Sequence, residues 1–523
     1  MKMKNLYIKI LGIVFFAFFV ASCDDFVDDI DPLVNEIADS QLDSEEQIEL
    51  LINGLLGTAG STGDGGVGIG RILWRASGYS DEMIHGVILG GAPDHTSFVQ
   101  DFPPDLGFYE GDWTNYHDMR FLGDDLVRRV NRIGTFDNTA LRDKAIWWGN
   151  FMSGLMRLYL ADHWGAQATT GLTPGAPITT AEQLANGEFG AFFTDIELHE
   201  QAREKFMVIM GVDPGNVPNS DKVLWSLIAR THLFDDNYSS AKSAAEQGLQ
   251  QGDETLEILQ NLRFPNQFWL QSGRTNDTNE FLFSVHPRFI QYVLDDRLEG
   301  EIISELIQEN IDDGIISQSL RGPEGGDREP GNSETSNPRS GLTNQNERLP
   351  LWEKLIETGA SAIGDDTEWA TYKDDGAIST QDIYASADAP LIIIDWREVE
   401  LILAEVAIRG SDNNTALTHI NNVRTHHGLI PATVLDLTSY DNPLGGAAQS
   451  GIAVKGTLST NVNIPGALGY LIEERDKTLI FRGTRLADQK RFELWHLEGD
   501  SYYKFYMPIP RSETDVNSNV PAG

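Results

Sequence analysis

Residues 395–428 read DWREVELILAEVAIRGSDNNTALTHINNVRTHHG, and this stretch decides the fold class. Trp396, Val399, Leu403 and Val406 recur at three- and four-residue spacing, which lays one apolar stripe along a helix. Asp395 with Glu398 three positions on is a helix-start signal. Gly410-Ser411-Asp412-Asn413-Asn414 turns the chain, Leu417, Ile420 and Val423 form a return helix, and Gly428 ends it. The predicted unit is an antiparallel helical hairpin of about 30 residues, the size of a tetratricopeptide unit.

The same form occurs earlier. Leu224, Leu227, Ile228 and Thr231 make a helix face, Phe234-Asp235-Asp236-Asn237 turns, and Ala241, Ala244, Ala245 and Leu249 return. A further helix is expected from Ala145 to about Asp162, with Trp148, Phe151, Leu155, Leu158 and Tyr159 on one face as core. Gly165 is its expected left-handed C′ residue. Ser44 with Gln47 predicts a capping box ahead of Ile48, Leu51, Ile52, Leu55 and Leu56. No regular 34-residue register links these segments. The predicted fold class is mainly α: helical hairpins as a scaffold, with irregular, loop-rich regions between them.

Composition narrows the function. The chain has 523 residues, 39 basic and 79 acidic side chains and a net charge of −40, so it repels a polyanion and nucleic acid is a poor partner. Hydrophobic residues make up 41%, enough for a large core without disulfides, which the single cysteine excludes. Arginine outnumbers lysine 26 to 13. An acidic, lysine-poor chain suits a saline habitat, where self-repulsion is screened; an ordinary acidic secreted protein is the alternative.

The first residues set the expected compartment. Lys2, Lys4 and Lys9 precede an apolar run from Ile10 to Val20, too short at about 16 Å of helix to cross a bilayer and suited to a secretory signal. Val20, Ala21 and Ser22 then lead into Cys23, similar to a bacterial lipobox, in which the cysteine thiol becomes the lipid attachment point. Asp24, Asp25, Asp28 and Asp29 make the following segment an acidic, solvated tether. Acidic residues directly after such a cysteine resemble the surface-export signals of some outer-membrane lipoproteins, and that resemblance implies a lipid anchor in the outer membrane, facing the cell exterior.

Motifs for chemistry are scarce. Gly66-Val67-Gly68-Ile69-Gly70 lacks the spacing and ending of a phosphate loop and reads as a flexible connection within Gly57 to Gly70. His426 and His427 are adjacent, so on a helix they point apart and do not grip one metal. Asp213, Asn216 and Asp221 lie in a Pro/Gly loop that reads as self-capped rather than calcium-binding. Residues 321–350 hold almost nothing apolar and read as a long exposed loop. No catalytic residue, cofactor or metal is expected, and the reading is a non-enzyme.

The C-terminal third carries a resemblance. Leu471-Ile472-Glu473-Glu474-Arg475, then Leu479-Ile480-Phe481-Arg482-Gly483-Thr484-Arg485 and Asp488, resemble an ER pair and F-E-G-x-R-x-x-D run. Tyr506-Met507-Pro508-Ile509-Pro510, with Glu513 and Asn517 to Asn519, resembles a closing P-I-P…E…N segment. Together with Glu400, Glu405, Asn421, Arg424 and the helix ending Trp164-Gly165, these are similar to the SusD/RagB-like family of outer-membrane nutrient-binding lipoproteins. Arg482 and Leu486 depart from the family pattern, where glutamate and an aromatic are usual.

The resemblance implies four tetratricopeptide-like units and a lid seated on a TonB-dependent β-barrel transporter (SusC-like), to which an oligosaccharide, or in some members a peptide, is delivered. A lipid-anchored glycosidase and a structural helical-repeat adaptor are the remaining alternatives. Glu474, Arg475, Arg485 and Asp488 are expected to form a charge network; Gly483, Pro508 and Pro510 complete the structural motif. Sugar binding needs aromatic faces on loops, and the candidates are Trp74, Tyr79, Phe102, Trp269, Phe289 and Tyr292. The expected organisation is a signal peptide over 1–22, the tether over 23–40, an N-terminal helical region over 41–265, a loop-rich region over 266–380 and a C-terminal helical region over 381–523.

Overall fold

The structure, a computed structural model, describes residues 42–61, 68–80, 82–85, 107–165, 175–261, 264–268, 283–285, 388–427, 431–433, 435, 466–492, 507 and 509–521. The signal segment, Cys23, the tether, residues 321–350 and Pro508 lie outside the described residues, as does most of the 266–380 region.

Helices dominate what is described. Helix α1 spans Glu45–Gly60 and α2 spans Ile69–Tyr79; two long helices follow, α3 over Gly107–Ile133 and α4 over Thr139–Trp164. After the short α5 (Ala181–Ala185) come α6 (Asp195–Val208), α7 (Ser220–Phe234) and α8 (Tyr238–Ala245). The C-terminal part holds α9 (Trp396–Arg409), α10 (Asn413–His426), α11 (Ala467–Thr478), α12 (Arg485–Phe492) and α13 (Arg511–Thr514). Helices pack mainly on their neighbours in sequence: α3 on α4, α4 on α6, α7 on α8, α9 on α10. Helix α9 then packs against both α7 and α8 and on to α11, which joins the two halves. The described fold is mainly α, and none of its described helices is long and apolar enough to cross a membrane.

Strands are short and pair antiparallel. Strand β1 (Met83–His85) pairs with β5 (Phe283–Val285), β2 (Ala176–Pro177) with β3 (Phe192–Phe193), and β4 (Glu257–Ile258) with β6 (Leu391–Ile392). The core is continuous through Ile52, Leu73, Trp147, Phe151, Leu227, Ile393, Leu401 and Leu471. Where α3 crosses α4, a Cβ on Gly123 would stand 2.6 Å from the Gly149 carbonyl oxygen, so only glycine permits that approach.

The two hairpins read from sequence share one turn. In α7–α8, Asp236 N–H donates to Leu233 O and Asn237 N–H to His232 O; in α9–α10, Ser411 N–H donates to Ile408 O and Asp412 N–H to Ala407 O. These are Schellman bonds, with Asp236 (φ 56°) and Ser411 (φ 62°) in the left-handed position. The next residue then caps the following helix: Asn237 accepts from Ser240 N–H, and Asp412 from Thr415 N–H. Gly410 sits one residue too early to take the left-handed role. Replacing Ser411 with glycine is therefore expected to raise stability by about 0.5–1 kcal/mol, measured as a higher urea midpoint.

Four local expectations change. Ser44 precedes α1 but makes no side-chain cap. Gly165 is extended, with φ −65° and ψ 136°, rather than left-handed. Asp395 does cap α9, accepting from the N–H groups of Arg397 and Glu398, but Glu398 does not complete the box, because its carboxylate is drawn to Arg230. The glycine-rich connection is shorter than expected, since Gly57 and Gly60 belong to α1 and Gly70 to α2. The Pro/Gly loop is self-capped: Asp221 accepts from Gly211 N–H and Asp213 from Gly215 N–H, each at 2.8 Å.

Candidate functional site

The residues between α11 and α12 form a turn with two left-handed positions, Phe481 (φ 62°) and Gly483 (φ 74°). A left-handed phenylalanine is disfavoured by about 1–2 kcal/mol, so neighbours must hold it. Glu82, at the end of the α2 region, accepts from Phe481 N–H at 3.1 Å, and the Phe481 ring stacks on Phe268 at 4.7 Å. Arg482 reaches Asp395 at 2.9 Å. His163, near the end of α4, holds the Gly483 carbonyl at 3.1 Å. The turn is thus fixed by four distant parts of the chain. The arginine at 482, a departure from the family pattern, is the partner of the α9 cap.

His163 is neutral. The Gly483 carbonyl can only accept, so Nε2 carries the proton and Nδ1 accepts from the Tyr116 hydroxyl at 2.7 Å. Burial lowers the ring's pKa to about 4, against the opposing pull of Asp162 and the Gly483 carbonyl. Its backbone carbonyl accepts from Met507 N–H at 2.7 Å, which seats the closing segment against the end of α4. Lys490 of α12 reaches the same end and donates to the Asp162 and Gly165 carbonyls, a cation on the negative pole of a helix.

Each of the motif's charged residues meets an opposite charge, Arg475 and Asp488 one another and the rest their neighbours. Arg475 holds Asp488 through two bonds at 2.9 and 3.0 Å, and Arg491 holds Asp488 at 2.9 Å and also reaches Glu405. Glu474 takes Arg424 at 2.7 Å and Lys477 at 3.4 Å, and Arg485 faces Asp476 at 3.5 Å. The network docks α11 and α12 on α9 and α10. Pro510 precedes α13, whose Glu513 meets Trp113 Nε1 at 3.4 Å.

The aromatic candidates fare differently. Trp74 lies within α2, 6% exposed and in the core, with the Arg75 guanidinium 4.7 Å from its ring centroid, so it is not displayed on a loop. The turn after the glycine-rich stretch ends sooner than expected, and Trp74 falls on the helix it starts. Tyr79, at the end of the same helix, is partly buried against the core. Phe102, Trp269, Phe289 and Tyr292 lie outside the described residues. His426 packs edge-on against Trp396 at 5.0 Å, and no cluster of metal-ligating side chains occurs among the described residues.

A second buried histidine is cationic. His199 stands between Asp235 at 2.6 Å and Asp162 at 3.0 Å. Burial alone would lower its pKa, but Asp235 and Asp162 more than offset that and raise it to about 9. Against an unfolded value of about 6.5, its stabilising contribution is complete below that pH and is lost as pH rises through 9. For His163 the sign reverses: its contribution is present above about 6.5 and lost as pH falls to about 4. Lys490, lowered by burial to about 8, adds stability as pH rises from about 8 to its unfolded value near 10.4. The stability gap between wild type and His199→Gln should therefore shrink by roughly 3 kcal/mol between pH 6 and 9 in urea titrations. A gap that held constant with pH would refute the cationic assignment.

Much of this site has no local signature in the sequence. In helix α3, Trp113, Tyr116, Met119, Leu126 and Val130 recur at helical spacing, but its many charged residues mask the stripe. Glu82, His163, Arg230 and Lys490 gain their roles from contacts across long sequence separations, which spacing does not encode.

No family model matches the chain, and no curated protein matches it. Solved structures do. A SusD superfamily protein from Bacteroides thetaiotaomicron VPI-5482 is 14% identical, with a TM-score of 0.59 over 92% of this chain and 100% of its own. A SusD-like carbohydrate binding protein from Bacteroides vulgatus ATCC 8482 is 14% identical, with a TM-score of 0.56 over 91% of this chain and 97% of its own. A SusD-like carbohydrate binding protein from Bacteroides fragilis NCTC 9343 is 12% identical, with a TM-score of 0.53 over 92% and 99%. At such identity the likeness is one of backbone course, and it runs nearly end to end: the chain has the fold of the SusD superfamily.

Proposed function

We propose that the chain is a non-catalytic, cell-surface member of the SusD/RagB-like family, capturing an oligosaccharide for a TonB-dependent β-barrel transporter. The observation that carries this reading is the fold likeness over 91–92% of the chain to proteins described as SusD-like carbohydrate binding proteins. The motif residues support it, since their charges are consumed in docking helices rather than left for acid–base work. The sequence supports the location: Cys23 follows a lipobox-like Val20-Ala21-Ser22 and an apolar run. We assign the lipid to Cys23 and the protein to the outer face of the outer membrane.

Titration calorimetry of the mature protein against neutral glycans and against mixed peptides tests the ligand class. Heat with a glycan, lost in Trp269→Ala or Tyr79→Ala, is the expected result; heat with peptides alone would move the protein to the peptide-capturing reading. Release of reducing sugar from a polysaccharide panel would overturn the non-catalytic assignment. Metabolic labelling with a radioactive fatty acid, lost in Cys23→Ala, tests the anchor. Co-isolation with a β-barrel transporter from detergent-solubilised outer membranes tests the partner.

A further inference from the structure

On the face where α3, α4 and α6 meet, three cationic side chains close on one carboxylate. Asp124 of α3 accepts from Lys205 Nζ of α6 at 2.8 Å and from the Ser153 hydroxyl of α4 at 2.7 Å. Its other oxygen accepts from Arg157 at 2.9 Å and from Arg120 at 3.0 Å. Burial alone would raise the Asp124 pKa; Arg157 and Lys205 hold it well below the usual carboxylate range.

The charges do not balance. Arg120, Arg157 and Lys205 carry three positive charges against the one on Asp124, and the exposed Asp118 at the rim still leaves a surplus. This occurs on a chain whose net charge is −40, so the cluster runs against the field of the whole molecule. Arg120 is 4% exposed, and its Nε has no acceptor among the described residues; the buried Nε2 of His117, one turn earlier, has no partner there either. Burial and the adjacent Arg157 lower the Arg120 pKa to about 10, as expected of cations short of anions. A buried donor with no acceptor is unfavourable and favours whatever supplies one. Lys205 and Asp124, at 27% and 26% exposed, open this side of the cluster to water.

We propose that this cluster is an oxyanion site, which takes a carboxylate, sulfate or phosphate group approaching past Lys205 and Asp124. Asp124 is its internal occupant: it holds the cations together and competes with the incoming anion for the same donors. The anion comes either free or carried by a saccharide, as a uronate or a sulfate ester. Only the second source rests on the proposed sugar capture.

The test is calorimetry at constant ionic strength, with sodium sulfate, sodium glucuronate and glucose against a chloride background, on wild type, Asp124→Asn and Lys205→Gln. Removing the internal competitor is expected to tighten sulfate binding about tenfold in Asp124→Asn, and removing one donor to weaken it about tenfold in Lys205→Gln. Glucuronate bound in preference to glucose identifies a saccharide carrier; sulfate bound without that preference identifies a free anion. If neither wild type nor Asp124→Asn distinguishes sulfate or glucuronate from chloride, the site is refuted. Binding of a neutral glycan by all three proteins in that case would leave the capture function standing while the oxyanion site falls.

Discussion

Glu398→Ala should destabilise the protein by about 3–5 kcal/mol, while the double replacement Arg230→Met/Glu398→Leu should recover most of that loss. Arg230 on α7 and Glu398 on α9 are both fully buried, joined by two parallel bonds at 2.5 and 2.6 Å, and Arg230 also donates to the Ile393 carbonyl at 2.9 Å. Burial alone would lower the Arg230 pKa, but Glu398 raises it above the usual value, so the guanidinium cannot escape its charge. Without Glu398 that charge stays buried and unpaired. Removing both partners takes away the desolvation along with the attraction, and Arg230 Nη1, which has no acceptor among the described residues, is removed too. Urea midpoints of the two single variants and the double variant form the cycle. A single replacement costing under about 1 kcal/mol would show that water reaches the pair.

Gly483→Ala should cost about 2–4 kcal/mol. Its φ of 74° already disfavours a side chain, and a Cβ would stand 2.9 Å from Leu73 Cδ2 in the core. Moving Leu73 or the turn would also strain the bond from His163 to the Gly483 carbonyl. Gly134→Ala is the control: its φ is 75°, but nothing lies within 4 Å of its Cβ. That variant should lose only the backbone part, about 1 kcal/mol. Equal midpoints for the two variants would show that Leu73 yields freely.

What the sequence disclosed was local. The α9 stripe, its Asp395 cap and the two hairpin turns depend on residues within one or two helical turns, and spacing records such relations. Of the four charged residues that the resemblance joins in one network, Arg475 and Asp488 do pair, 13 residues apart on consecutive helices, whereas Glu474 turns to Arg424 and Arg485 to Asp476. Distance in the chain hid the rest. Glu398 has the spacing of a capping box, but a buried arginine 168 residues away takes its carboxylate instead. Gly165 has the position of a left-handed stop, yet its backbone is extended, and the left-handed place in the 410–414 turn falls to Ser411 rather than to the glycine before it. Trp74 looked loop-borne because the glycines before it hid the start of α2.

The seams that join the two halves have a consequence for continuity of the chain. Glu82 meets Phe481 across 399 residues, His163 meets Gly483 across 320, and β4 meets β6, all spanning the interval 286–387. The described body is therefore clasped by residues on both sides of that interval. A polypeptide severed there would keep those contacts between its two fragments, as two subunits grip each other.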